Sequence, residues 1–129
     1  MLITLKDMMG IAEKEGIAIG GFNTPNLASL GAVIGAAEEE NLPVILMFAE
    51  CHDEWVSLDL IGPAMLKAAR QATVPVCVHL DHGEHLEYLK KALELGFTGI
   101  MYDGSVLPYE ENVANTKKAV EMARAHGAS

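Results

Sequence analysis

Basic side chains are scarce in this chain. Nine Lys and Arg stand against 18 Asp and Glu, for a formal net charge of -9 over 129 residues. A nucleic-acid partner is therefore not expected, because nothing would neutralise phosphates along a groove. No basic run marks a membrane surface. Cysteine is equally sparse. Cys51 and Cys77 are too few and too far apart for a disulfide framework or a paired-Cys zinc site, and both are expected to be buried thiols near strands. Long apolar runs are missing too, and none approaches the ~20 residues of a membrane span. The opening MLITLKDMMGIAEKEG lacks the basic start, apolar stretch and cleavage site of a secretory leader. Cytoplasmic residence is the resulting expectation.

What is present is a regular alternation. Thr4 and Asp7 read as a capping box for a short N-terminal helix over 5–15, ended by Gly16. Residues 17–22 read as a first strand, with Thr24 and Pro25 as N-cap and first position of a helix reaching about Glu40, and Asn41 as its C-terminal cap. Pro43 opens the apolar run Val44 to Ala49, as in a strand buried on both faces. Pro63 is placed at the start of a helix over 63–72, and Pro75 opens a third strand, Val76 to Leu80. Leu86, Leu89 and Leu93 mark a helix over 84–95, closed by Gly96. A fourth strand over 98–102 precedes a helix that starts at Pro108 and is closed by Gly127. Four strands, each followed by a helix, give the rhythm of a parallel α/β sheet. That rhythm alone fits a doubly wound sheet as well as part of a barrel.

In such folds ligands bind beyond the carboxyl ends of the strands. The four loops there carry Asn23; Glu50, His52, Asp53 and Glu54; Asp81, His82, Glu84 and His85; and Asp103 and Ser105. All nine basic residues lie on predicted helices instead. Clustered carboxylates repel one another unless a cation or proton joins them. A divalent metal is the economical resolution, and His with carboxylate suits zinc.

The sharpest motif is Val78-His79-Leu80-Asp81-His82-Gly83. At a strand end, the His can ligate a metal while the Asp handles a proton. Both reach the mouth only if the strand bends, which Gly83 would permit. The plainer alternative is Asp81 as a helix cap beside a solvated His82. Asp103-Gly104-Ser105 by itself reads more often as a turn than as a ligand. His79 is expected to be a satisfied buried histidine, His126 a partner of a helix C-terminus, and Trp55 a core residue. Glu38, Glu39 and Glu40 form a run placed against the helix dipole. Gly20-Gly21-Phe22-Asn23 lacks G-x-G-x-x-G spacing, which excludes a dinucleotide loop.

Together these segments resemble the class II (metal-dependent) ketose-bisphosphate aldolases, the fructose- and tagatose-bisphosphate enzymes. The likeness is carried by Gly21-Phe22-Asn23, Pro43 to Leu46, Leu60-Ile61-Gly62-Pro63, Pro75 through Asp81-His82-Gly83, Leu95 through Asp103-Gly104-Ser105, and the stretch from Tyr109 to Gly127. It extends over essentially the whole chain. The resemblance implies a TIM (β/α)₈ barrel, of which residues 1–129 supply the N-terminal half, about four βα units behind a short N-terminal helix. A complete barrel takes roughly 250 residues. It implies reversible zinc-dependent aldol cleavage of a ketose 1,6-bisphosphate to dihydroxyacetone phosphate and glyceraldehyde 3-phosphate. Asp81 matches the catalytic acid/base, His82 the first zinc ligand, and Asp103 a secondary acidic residue near the metal. Asn23 is a weaker substrate-site match. A second divalent or a monovalent cation fits the same pattern.

The family's remaining zinc histidines and its phosphate loops are matched by nothing up to Ser129, and Ala49-Glu50 replaces the usual Ser or Thr after the second strand. The chain alone is therefore expected to be inactive, and to form a homo-oligomer through exposed sheet edges. Three alternatives compete: a different metal-dependent barrel, a stand-alone flavodoxin-like metal-binding or regulatory module, and a non-catalytic assembly subunit.

Overall fold

The computed structural model describes residues 1–129. Helix α1 (Leu5–Glu15) is followed by β1 (Gly21–Asn23), α2 (Leu27–Glu39), β2 (Val44–Ala49), a 3-10 turn (Glu50–Glu54), α3 (Leu58–Gln71), β3 (Val76–Gly83), α4 (Leu86–Leu95), β4 (Gly99–Tyr102) and α5 (Tyr109–Ala125). All strand pairs are parallel and the spatial order is β1-β2-β3-β4. A sheet that grows in one direction has no switch point. It is the order of a barrel wall, whereas flavodoxin-like sheets run 2-1-3-4-5.

Alternation along the strands divides the sheet into two faces. Val44, Leu46 and Phe48 of β2 and Val76, Val78 and Leu80 of β3 join the main core beneath the helices. Leu46, Phe48, Val78 and Leu80 are completely buried, each stabilising by about 1.5–3 kcal/mol relative to exposure. On the opposite, inner face Ile45 and Cys77 pack with Met8 of α1, flanked by Ile3, Leu5 and Met47. Helix α1 thus covers the inner face near the amino ends of the strands. Its N-terminus is the expected capping box: the Asp7 amide donates to Thr4 Oγ1 at 3.1 Å.

Several boundaries differ from expectation, each for a local reason. β1 is restricted to Gly21–Asn23 because it is an edge strand with β2 as its one partner. Pairing reaches back only as far as the Gly20 carbonyl, which accepts from the Ile45 amide. Asn26, not Thr24, caps α2, its side chain accepting from the Ser29 amide at 2.9 Å. Asn41 (φ 54°) does supply the left-handed exit from α2. Pro63 lies inside α3, which starts at Leu58. Asp53 makes that earlier start possible by accepting from the Leu58 amide.

The 3-10 turn carries Cys51 and Trp55 outward. Cys51 is exposed, against expectation. Trp55 is 75% exposed and stacks on His52, so it is not core. His79 is buried but Nδ1 has no partner, so it is not the satisfied histidine expected. Glu38 gains an account: Oε1 accepts from the amide and hydroxyl of Thr73, tying α2 to the approach to β3. His126 bonds the Met122 carbonyl at the end of α5, as expected of a C-terminal partner.

Gly83 is required for a different reason than a bend. Its φ is not positive. A Cβ there would lie 2.4 Å from Leu89 Cδ1, 2.9 Å from Leu80 Cδ2 and 3.1 Å from the Met101 carbonyl oxygen. Gly83→Ala is expected to lower unfolding stability by about 1–3 kcal/mol through overpacking. Urea denaturation measures this, and an unchanged midpoint would show that α4 can yield.

Candidate active site

The carboxyl ends of the strands gather the motif residues. β3 pairs regularly with β4 as far as Leu80 opposite Ile100, and the next pair is Gly83 opposite Tyr102. Asp81 and His82 therefore stand against Met101 alone. This is a bulge, which turns the strand locally and re-aims its side chains. The bend itself falls on His82, whose φ of 45° is left-handed. A non-glycine residue in that region costs about 1–2 kcal/mol.

The bend brings adjacent residues to one place. His82 Nδ1 lies 2.6 Å from Asp103 Oδ2, and its Nε2 lies 4.0 Å from Asp81 Oδ1. The Asp103 amide donates to the Gly83 carbonyl at 2.8 Å, and Asp103 Oδ1 accepts from the Ser105 amide. Asn23 Nδ2 donates to Asp81 Oδ2 at 3.1 Å across β2. The four residues singled out from the sequence, Asn23, Asp81, His82 and Asp103, thus form one hydrogen-bonded and charge-paired group.

Charge follows contact. The hydrogen bond to Asp103, then the charge of Asp81, raises the His82 pKa above its usual 6.5. The bonds from His82 and Ser105 hold Asp103 down at about 2. Asp103 is therefore ionised at neutral pH, and the Nδ1 proton belongs to His82, leaving Nε2 as the free ring nitrogen. A carboxylate on one imidazole nitrogen is how metal-ligating histidines are oriented. No group of three or more His, Cys, Asp or Glu side chains stands close enough to hold a metal ion.

Two further acids of the mouth, Asp53 and Glu50, have partners of their own, so they do not demand a shared cation. Asp53 accepts from the Tyr88 hydroxyl at 2.6 Å and from the Leu58 amide, and the Tyr88 bond leads in lowering its pKa. Burial, then the Asp53 bond, pushes the Tyr88 phenol up. Glu50 accepts from the amides of Glu84 and His85 and pairs with the His85 ring. Neither arrangement was legible in the sequence, since each joins residues 35 positions apart, between the 3-10 turn and the start of α4.

Comparison with known proteins identifies the family and the fold. The model of the family described as fructose-bisphosphate aldolase class-II matches residues 3–129. This chain belongs to that family. A fructose-bisphosphate aldolase of Staphylococcus aureus is 40% identical over 131 residues, covering 99% of this chain and 46% of that protein. One from Staphylococcus epidermidis is 39% identical with the same coverage. The crystal structure of the YdjI aldolase from Escherichia coli K12 superposes with a TM-score of 0.93 at 35% identity, over 99% of this chain and 50% of that one. The chain spans about half the length of the curated relatives it matches. Its fold is four βα units, half of a TIM barrel.

The His82–Asp103 pair has a defined pH window. The raised His82 contributes stability that is complete below 6.5 and fades as pH climbs through its higher folded value. The depressed Asp103 contributes above 3.8 and loses it as pH falls toward about 2. The contribution is therefore largest between 3.8 and 6.5, and solvent screening keeps it small. In metal-free protein, Asp103→Asn is expected to bring the His82 titration, followed by NMR, down toward 6.5. An unmoved titration would refute the pairing.

Proposed function

We propose that this chain carries the proton-transferring corner of a class II aldolase that performs reversible aldol cleavage of a ketose 1,6-bisphosphate to dihydroxyacetone phosphate and glyceraldehyde 3-phosphate. The observation that carries this reading is the convergence of Asp81, His82 and Asp103 at one bulge within a chain of that family.

His82 would hold zinc through Nε2. The donor chemistry fits one share of the site, because catalytic zinc takes three protein ligands and no such trio is present here. When bound, the metal supplies Lewis-acid polarisation of the ketose carbonyl. Asp103 orients the imidazole and keeps its Nδ1 protonated, with a secondary place near the metal. Asp81 exchanges the proton with the hydroxyl at the bond being broken. One of its oxygens is held by Asn23, and the other has no partner nearer than His82 Nε2 at 4.0 Å. Asn23 also lines the substrate side. A phosphorylated sugar finds no Lys or Arg in these four loops, so its phosphates need donors from elsewhere in the assembly.

The reading includes a soluble cytoplasmic protein, and no helix is long and apolar enough to cross a membrane. It also includes self-association. β1 and β4 each have one strand partner, and beside β1 an apolar groove exposes Ile17, Phe22 and Leu42. Light scattering on the purified chain is expected to give a dimer or larger, and a monodisperse monomer would remove this part of the reading.

The chain by itself, supplied with zinc and fructose 1,6-bisphosphate, is expected to show no appreciable cleavage. In an active assembly that includes it, Asp81→Asn is expected to lower kcat by about 10²–10⁴, and His82→Ala to lower zinc content as well. Full turnover and full zinc after both substitutions would end the proposal.

A further inference from the structure

Glu50 lies where β2 gives way to the 3-10 turn, and its side chain is 16% exposed. Oε2 accepts from the Glu84 amide at 2.7 Å and from the His85 amide at 3.2 Å. Oε1 meets His85 Nδ1 at 2.6 Å. His85 is the N-cap of α4 and makes no side-chain cap bond of its own. A carboxylate from the neighbouring loop therefore binds the backbone amides of the N-cap residue and of the residue before it, just ahead of α4, where the helix dipole favours an anion.

This contact anchors one end of a four-residue segment. At the other end His82 is tied to Asp103 on the β4 side. Between them the chain passes through the left-handed His82, a conformation that persists only when its surroundings over-determine it. On the β4 side the Gly83 carbonyl also accepts from the Asp103 amide. Glu50 adds the tie from the β2 side, so the segment is held from the strands on both sides of β3.

We propose that Glu50 is a positioning residue for His82: by clamping Glu84 and His85 from the β2 side it holds the bulge that aims the His82 ring at Asp103. The inference rests on the reading of His82 as a metal ligand for its functional meaning, and on the hydrogen bonds alone for its geometry.

NMR of the intact chain tests it. The His82 Nδ1 resonance, read through the carbon-bound ring protons because the side chain is 56% exposed, reports whether that nitrogen keeps its proton and its contact to Asp103. Glu50→Ala is expected to keep the fold by circular dichroism, yet to lose or split that resonance, although Glu50 touches neither His82 nor Asp103. Glu50→Gln, whose amide oxygen can still accept from both backbone amides, is expected to restore it. If Glu50→Ala retains one unaltered His82 resonance and merely unfolds at lower denaturant, Glu50 is only a helix cap and the inference is overturned. Should Glu50→Ala fail to fold, Glu50→Asp, one methylene short of the two amides, is read by the same resonance: loss supports the inference and retention overturns it. Zinc added to the wild-type chain separates the two claims. A His82 Nε2 that does not respond removes the ligand role, while the Nδ1 resonance still decides the clamp.

Discussion

The hydrogen bond between His82 and Asp103 is the constraint on which the site depends. Strand geometry sends neighbouring side chains to opposite faces, so an Asp and a His in sequence cannot share a site on a regular strand. The bulge after Leu80 and the left-handed backbone of His82 break that rule. The conformation has a cost, and the 2.6 Å contact to an ionised carboxylate opposes it. The Asp103 amide on the Gly83 carbonyl closes the same corner through the backbone. Gly83 belongs to this arrangement as a point of close approach, where α4 and the Met101 carbonyl leave no volume for a side chain.

Around that corner the negative charge of the mouth is distributed among separate partners. Glu50 has two amides and an imidazole, Asp53 a phenol and an amide, Asp103 an imidazole and an amide. The Asp53 bond to the Leu58 amide closes the N-terminus of α3, where an anion is favourable. The acidic character of the loops is thus largely architectural. A count of carboxylates overstates the demand for a cation, since most of them are satisfied by donors within the chain.

The helices, β2 and the parallel βα alternation were legible because they follow from short-range rules: capping at Thr4, a continuous apolar run at Val44–Ala49, left-handed glycines at Gly16 and Gly96. The motif residues were legible as residue types at strand ends. What escaped the sequence is non-local. Asp53 extends α3 past Pro63 toward the N-terminus from outside the helix, and a lone proline is then a misleading boundary. Trp55 was misplaced because size suggests burial, whereas the 3-10 turn directs it outward onto His52. The contribution of Gly83 was misread because a glycine between a strand and a helix suggests torsional freedom, and the deciding term is volume.

Two aspartates of one corner illustrate how contact separates identical side chains. Asp103 is bound at both oxygens, by His82 and Ser105, and stays ionised down to about 2. Such a group orients its neighbour well and is a poor proton carrier. Asp81 has one amide donor on Oδ2, while Oδ1 has His82 Nε2 no nearer than 4.0 Å. A group that exchanges protons with a substrate needs an unengaged oxygen as well as a fixed carboxyl plane, and Asn23 supplies the second without removing the first. Exchanging the two roles would require Asp103 to break the contact that holds His82 in its left-handed turn. The geometry is therefore consistent with the proposed roles, Asp81 as the proton carrier and Asp103 as the residue that keeps the imidazole in place.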